Sequence, residues 1–514
     1  MMLRSSVIVS IISIGSYSAS FFNQILIAKI FGASSGLDVY LVAISPPFLL
    51  LTITGSIISI ALVPVLVKKK HQRGYAQFSG LLFSVVCLFT IVSSGITYLL
   101  SPIIINIMVP TFPEGQALKA VAMMRLSLLI YLSSVIVSYF VALHNVSMKF
   151  FVAASVNILP YLGMIILSQY YSNQIGTEAL IWGMLAGNLL AIPLLLVGIK
   201  DEIRINLNIL SSYFEIKDVF MEIPFIFISM FGISSYAAID AIWATRIGAS
   251  HLSYLAYSQR IMFALGTAIV IGPMTVILPH LSEDIALSRH KEFRMNTIRA
   301  LRMLVVFLSI VGVIISVLAV PIVKLLFERG AFDRATTLQV GALMPWMFIG
   351  VFGMVCTILL FRAYYAKGDI VGTAMMGIAG ATFYFILSGF LSNIKGLHGI
   401  VLAYAITWWT IMIWALLRLW RNNLNELLNS NNLRFLWQIT LTLGICGGLV
   451  SFGNIYYIQS AINADVVFLG LRLLLLASLG LLLFLAVAVY GFKMGEVISV
   501  LKIFPLAFKN DRLT

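Results

Sequence analysis

Apolar residues run through this chain in long blocks rather than in alternation. Stretches of roughly 18 to 30 residues, such as Val7–Phe31 and Val466–Tyr490, are separated by short segments that carry most of the charge. A bilayer core about 30 Å thick needs about 20 apolar residues to be crossed by a helix. Unbroken runs of that length are not the alternating ten-residue segments of a membrane β-barrel. The pattern therefore predicts an all-α polytopic membrane protein with about fourteen spans, near 5–31, 38–67, 78–107, 121–143, 150–171, 179–199, 222–245, 256–281, 301–327, 336–362, 372–391, 397–420, 435–459 and 466–491. Arg4 followed by Val7–Ile14 and the small residues of Ser16–Ser20 has the outline of a secretory signal. The apolar run continues to Phe31, however, so this segment is expected to be the first membrane helix.

Composition narrows the class. Of 514 residues, 61% are hydrophobic and 10% charged, against about 25% charged in soluble proteins, which excludes a soluble enzyme. Cys87, Cys356 and Cys446 lie inside apolar runs with no CxxC spacing and no histidine at ligand distance, so neither a disulfide framework nor a metal site is implied. The net charge of +14 would suggest nucleic acid in a soluble chain, but here it is a topology signal. Of the 33 lysines and arginines, 23 fall on the side of the N-terminus and 8 on the opposite side, leaving Arg260 and Arg472 within spans. The positive-inside rule then predicts both termini in the cytoplasm. Attraction to anionic lipid, about 1 kcal/mol per near-surface basic residue, is a secondary effect.

The chain also repeats itself. Ile30-Phe31-Gly32-Ala33-Ser34 returns as Arg246-Ile247-Gly248-Ala249-Ser250, and Leu62-Val63-Pro64-Val65-Leu66 as Ile277-Leu278-Pro279-His280-Leu281. The turn before Lys149 answers Lys367-Gly368-Asp369, and Gly176 answers Gly396. Two six-helix lobes entering the membrane from the same side are predicted: 1–200 as the first, 201–421 as the second, and 422–514 as two further helices with a tail. Parallel repeats of this kind imply a central cavity and alternating access by rocking of one lobe on the other. Helix-bending prolines and glycines, among them Pro46-Pro47, Pro64, Gly272-Pro273 and Pro345, concentrate in spans two, eight and ten.

No HExxH, GxSxG or P-loop signature is present, and no paired acids share a span, so no catalytic residue and no cofactor are expected. What remains is charge within the membrane, which is costly unless it is paired or faces water. Arg260, in Tyr257-Ser258-Gln259-Arg260, is the candidate anion ligand, or else a helix-end arginine reaching the interface. Asp240 is its candidate counter-ion, with packing against the Ser234 and Ser235 hydroxyls as the alternative. Asp38 stands at the head of span two. Asn23 and Asn188 are polar within spans and suit bonds between helices, and Arg472 is placed to snorkel.

These residues carry a resemblance. Ala28-Lys29-Ile30-Phe31-Gly32-Ala33-Ser34, Asp38, Val42-Ala43, Pro47 and Val63-Pro64-Val65-Leu66 resemble the opening of the MurJ/MviN lipid II flippases of the MOP superfamily. Tyr257-Ser258-Gln259-Arg260-Ile261 is similar to the start of that family's eighth helix, Leu278-Pro279-His280-Leu281-Ser282 to its Leu-Pro-x-Leu-Ser, and Leu326–Phe332 to its ninth-helix exit. The resemblance implies a V-shaped bacterial inner-membrane flippase. Its cationic cavity would receive the pyrophosphate-sugar head of an undecaprenyl-linked precursor, and its last two helices would form a groove for the lipid tail. The candidate cavity residues on this chain are Arg260, Gln259, Asp240, Asp38, Lys29, Asn23, Tyr17 and Thr52, of which Arg260 matches a cavity arginine of the family and Asp38 a family aspartate. Where the family has arginines in helices one and two, this chain has Tyr17, Asn23 and Leu51-Thr52, which thins the positive charge expected around a pyrophosphate.

The expected partners are therefore a lipid-linked glycan precursor and the bilayer, with no nucleic acid. The function read from the chain is a flippase for an undecaprenyl-pyrophosphate-linked glycan of the lipid II type. A surface-polysaccharide unit is the alternative cargo. From other classes, a MATE-like ion-coupled exporter would use Asp240, and a non-transporting membrane scaffold would explain the missing arginines.

Overall fold

In the computed structural model, the described residues are 2–70, 72–204, 223–224, 226–228, 230–232, 234–453 and 466–491. Within these, the side chains of 2–14, 17, 265–280, 282, 286, 316, 450, 452–453, 466–467, 469 and 490–491 lie outside the description. Among the described residues there is no strand, and eleven helices are long and apolar enough to cross a membrane. Shorter apolar helices at Ser18–Phe31 and Val317–Phe327 are compatible with the expected fourteen spans. The all-α polytopic class is the one the apolar blocks predict.

The chain divides into two compact units. Unit 1 comprises Met1–Ser253, Arg329–Asp333 and Gly377–Phe385, and unit 2 comprises Tyr254–Glu328, Arg334–Met376 and Ile386–Thr514.

Unit 1 is built on α1 (Met2–Phe31), α2 (Ser35–Ile57), α3 (Val63–Lys69), α4 (Tyr75–Met108), α5 (Glu114–Val146), α6 (Phe150–Ser155), α7 (Leu159–Ile175), α8 (Glu178–Ile199) and α9 (Tyr236–Ile247). A π-turn, Ile58–Leu62, joins α2 to α3 just before Pro64; proline has no N–H for the helical ladder, and the wider turn takes up the mismatch. In lipid there is little hydrophobic drive between helices, so small residues and polar bonds hold the bundle. The α7–α8 seam shows this directly: a Cβ on Gly163 would stand 2.1 Å from the Gly183 carbonyl oxygen, and one on Gly187 would stand 2.4 Å from that of Leu159. Asn188 of α8 donates to the Ser133 and Ser134 hydroxyls of α5 at 3.2 and 2.7 Å, the interhelical role its sequence position suggests. Tyr131 of α5 shares hydroxyl bonds with Thr54 of α2 and Ser93 of α4.

Unit 2 contains the body of α10 (His251–Ala286), then α11 (His290–Phe327), α12 (Arg334–Ala366), α13 (Ile370–Lys395), α14 (Leu397–Leu419), α15 (Leu424–Leu427), α16 (Ser430–Gly453) and α17 (Val466–Ala486). The middle of α13 belongs to unit 1. α11 bends at Leu318, whose backbone leaves the helical region three residues before Pro321, as a proline ring pressing on the preceding turn requires. α12 and α14 are tied by the Tyr364 hydroxyl donating to the Ala415 carbonyl at 2.8 Å. α16 and α17 pack on α11 through Phe435, Ile439, Leu473 and Phe484.

The repeat is visible in the backbone. Gly176 and Gly396, 220 positions apart, both end a helix at φ near 58° with an N–H donated at 2.9 Å to the carbonyl four residues back. Met148 and Gly368, at the same separation, both sit in the left-handed region, and the next N–H bonds back to His144 and Tyr364 respectively. The turns at Met148 and Gly368 are helix ends of the Schellman type.

Candidate functional site

The residues singled out by sequence separate into three groups. The first lies where α1 and α2 meet the chain from later in the sequence. Gly32 closes α1 at φ +55°, and a Cβ there would stand 2.3 Å from the Ala331 carbonyl oxygen, so both conformation and space require glycine. Beside it, the Lys29 carbonyl accepts the Ala331 N–H at 2.9 Å, and the Lys29 side chain is exposed. Ser34 caps α2 through its hydroxyl. One turn on, Asp38 is buried to 2% exposure. Its Oδ2 accepts the Ser250 N–H at 2.6 Å and its Oδ1 the Ser253 N–H at 2.8 Å, and the Ser253 hydroxyl also donates to it. Asp38 thus supplies the side-chain cap for the first turn of α10, answering N–H groups that a helix start leaves unpaired. Ser250 sits at φ 67°, unusual for a non-glycine.

The second group is in and around α9. Asp240 is 2% exposed and accepts the Tyr384 hydroxyl of α13 within unit 1. Tyr236 stacks on Tyr384 with ring centroids 4.7 Å apart and planes 14° from parallel. Neither tyrosine is signalled by the sequence pattern. Ser235 bonds to its own helix, at the Gly232 carbonyl.

The third group borders α10 in unit 2. Tyr257 and Ser258 are buried, Tyr257 against Phe327 at 5.5 Å, while Gln259 and Arg260 are half-buried and each has interaction partners. Asp240 and Arg260 fall in different units.

The remaining candidates differ in what surrounds them. Asn23 is fully buried, with its amide 3.6 Å from the Met164 sulfur of α7, so it packs between helices. Thr52 is exposed on α2 and bonds back to Phe48 at 2.9 Å. Ser56 and Ser59 follow it at helical spacing with the same back-bonds, extending a hydroxyl stripe that was not anticipated, although Thr52, Ser56 and Ser59 spell it at i, i+4 and i+7. The Tyr17 side chain lies outside the described residues.

Unit 2 also holds an apolar groove of about 720 Å³. It is lined from α11 by Val305 and Val313, from α12 by Phe348 and Phe352, and from α16 by Leu436 and Ile439. The tail groove implied by the resemblance was assigned to the last two helices. Among the described side chains this one uses α16 and none of α17, which packs against α11 and α16.

Among the described residues, no group of three or more His, Cys, Asp or Glu could hold a metal ion.

Comparisons with known proteins bear on the family and the fold. A family model described as Lipid II flippase MurJ matches residues 27–475. A curated lipid II flippase MurJ from Burkholderia cenocepacia is 26% identical over 68% of this chain and 70% of its own length. A probable lipid II flippase MurJ from Rhizobium tropici is 25% identical over 93% of this chain and 91% of its own. A solved lipid II flippase MurJ in an inward closed conformation superposes with a TM-score of 0.78, covering 94% of this chain and 99% of that one at 20% identity. A MATE-family multidrug transporter of the MOP superfamily superposes less closely, at a TM-score of 0.67 and 11% identity over 79% of this chain and 94% of that one.

Proposed function

The chain belongs to the lipid II flippase MurJ family, and from that premise we propose that it carries a lipid II-type precursor, an undecaprenyl-pyrophosphate-linked glycan, across the bacterial inner membrane. The observation that carries the reading is the family match over 27–475, which takes in both repeats. This is transport and not bond chemistry. The protein's task is to offer a polar surface to a head group that could not otherwise cross an apolar slab about 30 Å thick.

In this reading, Arg260 meets the pyrophosphate, because a guanidinium provides a planar pair of donors for phosphate oxygens. Gln259 beside it supplies neutral donors for sugar and phosphate oxygens, and the Thr52, Ser56 and Ser59 stripe, whose O–H groups already donate to main-chain carbonyls, offers acceptors for sugar hydroxyls. Lys29 and Tyr17 complete the set proposed from helix one. The bonds of Asp38 support a different role from cargo contact: a buried carboxylate that fastens the start of α10 to the head of α2 suits a latch which must open and close during alternating access. Asp240, held by Tyr384, suits a second fixed point. The basic bias supports a cytoplasmic position for both termini, and the three divisions 1–200, 201–421 and 422–514 are proposed as the moving bodies and their appendage.

A surface-polysaccharide precursor is the second cargo to test, because Tyr17, Asn23 and Leu51-Thr52 stand where the family's arginines are expected. The deciding experiment is complementation of a strain depleted of its own lipid II flippase, read alongside flipping of lipid II in proteoliposomes. Restored growth with flipping supports lipid II as cargo. Failure of both, with flipping of another undecaprenyl-linked oligosaccharide, moves the assignment to the second cargo.

A further inference from the structure

The two repeats provide an internal control for a feature at the end of α12. In unit 1, the turn after α5 is charge-balanced: the Lys149 ammonium donates to the Gly198 carbonyl at 2.6 Å and pairs with Glu202 at 3.5 Å, and Glu202 also takes the Ser147 hydroxyl. Moving on by 220 positions, Lys149 becomes Asp369 and Gly198 becomes Arg418, which form an ion pair of reversed polarity at 3.0 Å. The neighbours all shift toward positive charge: Ser147 becomes Lys367, Asp201 becomes Arg421, and Glu202 becomes Asn422.

These substitutions converge on one hollow of about 500 Å³, where Lys367, Arg418, Arg421 and Asn422 are joined by Arg294 from α11. Four cations line it, and two carboxylates answer them. Asp369 takes Arg418, and Glu426 takes Arg294 through two bonds of 2.7 and 2.9 Å. Lys367 and Arg421 form no ion pair among the described residues. Lys367 lies over the Phe293 ring, and its ammonium is pushed below the usual lysine range by burial first and then by Arg294, against the opposing pull of Asp369. A charge disfavoured by its own neighbours is relieved by an anion. The start of α11 at His290 also borders the hollow and has no side-chain cap, so its dipole adds to the attraction.

We propose that this hollow is a binding site for a phosphate group, and that the headgroup of an anionic phospholipid supplies it. Basic pockets between helices on the side rich in lysine and arginine are where such headgroups bind. The route for a chain is adjacent: Arg294, Ile298 and Arg302 follow one another at i, i+4 and i+8 on α11, and Ile298 and Arg302 line the apolar groove. Free phosphate shares the headgroup chemistry but makes no use of that groove.

The test uses the full-length protein, delipidated in a neutral detergent, with a fluorescent phosphatidylglycerol as probe. Saturable binding is expected. Lys367→Gln with Arg421→Gln should weaken it by about tenfold or more, since each removes a charge-assisted contact. A charge-matched control, Lys119→Gln with Lys395→Gln, should leave it unchanged. Unlabelled phosphatidylglycerol should displace the probe while inorganic phosphate at the same concentration does not; equal displacement by phosphate keeps the site and makes free phosphate its ligand. Wild-type affinity in the double variant, or an equal loss in the control, overturns the site. Melting temperature and monodispersity report folding. If the double variant is not folded, Arg421→Gln alone decides: a loss of less than about twofold overturns the proposal.

Discussion

Lys149 and Asp369 occupy the same place in the same kind of turn, and they carry opposite charge. At Lys149 the charge finds an opposite one: Glu202 answers the ammonium and holds the Ser147 hydroxyl as well. Around Asp369 the same backbone supports a cationic hollow. The hydrogen bonds that end α5 and α12 are between main-chain groups, so the geometry survives any exchange of surface side chains. Duplicated bundles can therefore keep one architecture while their charges diverge. A similar asymmetry holds for the charges singled out by sequence. In unit 1, Asp38 and Asp240 are both held by donors, whereas unit 2 contributes the cation, Arg260, to which the proposed cargo contact is assigned.

The largest effect that would sharpen this contrast is at Arg260. Arg260→Ala should abolish flipping of a fluorescent lipid-linked oligosaccharide in proteoliposomes, and Arg260→Lys should restore part of it, keeping charge but losing the paired donors. Thr52→Val in unit 1 should change the rate by less than about twofold, since the Thr52 O–H donates to the Phe48 carbonyl and its remaining acceptor shares the load with Ser56 and Ser59. Wild-type flipping by a well-folded Arg260→Ala protein would remove the asymmetry.

Next in size is Gly198, where arginine stands in the other repeat. A Cβ at Gly198 would stand 2.5 Å from Nε2 of the buried His144, so Gly198→Ala should destabilise the protein by about 1–3 kcal/mol, read as a lowered Tm. An unchanged Tm would mean that the two corners tolerate the same side chains. Asp38→Asn should cost about 1–2 kcal/mol through loss of the cap. If Asp38 contacts cargo instead, transport would fall while Tm stayed constant.

Smaller effects are expected for the exposed charges. Glu202→Gln should lower stability by about 0.5–1 kcal/mol, because Lys149 loses its partner in a largely solvated setting. Lys367→Gln should act in the opposite direction, raising stability by a few tenths of a kcal/mol after solvent screening. The sign follows from the lowered folded-state affinity of Lys367 for its proton: the cost is present at neutral pH, where the amine is charged whether folded or unfolded, and fades as pH rises toward the ordinary value of 10.5. The Tm advantage of Lys367→Gln should therefore shrink as pH approaches that value, and an advantage that grows would contradict the burial of this ammonium.

Much of the architecture was legible because apolar runs and helix-ending glycines are local signals. The blocks give the spans, and Gly176 with Gly396 gives the repeat. The site was less legible, because its partners are far apart along the chain. Asp38 could be recognised as a buried acid at a helix start, but the N–H groups it caps are 212 and 215 residues away. Asp240 invited pairing with a cation, and its recorded hydroxyl partner, Tyr384, lies 144 residues on. Asn23 occupies a position where the family resemblance implies an arginine, and only packing shows it enclosed against Met164. Periodicity tells which face of a helix is inward, not which side chain it will meet.

The seam between α7 and α8 also bears on how this protein can change over generations. Where two backbones touch through Gly163, Gly183 and Gly187, there is no rotamer to adjust, and any added methyl group acts as a wedge. Drift there has no small first step. It is directed to exposed positions of the same helices, such as Tyr170 and Val197, where one apolar side chain can replace another at little cost. The pair of helices should therefore read, in a lineage, as a fixed spine with a freely rewritten outer surface.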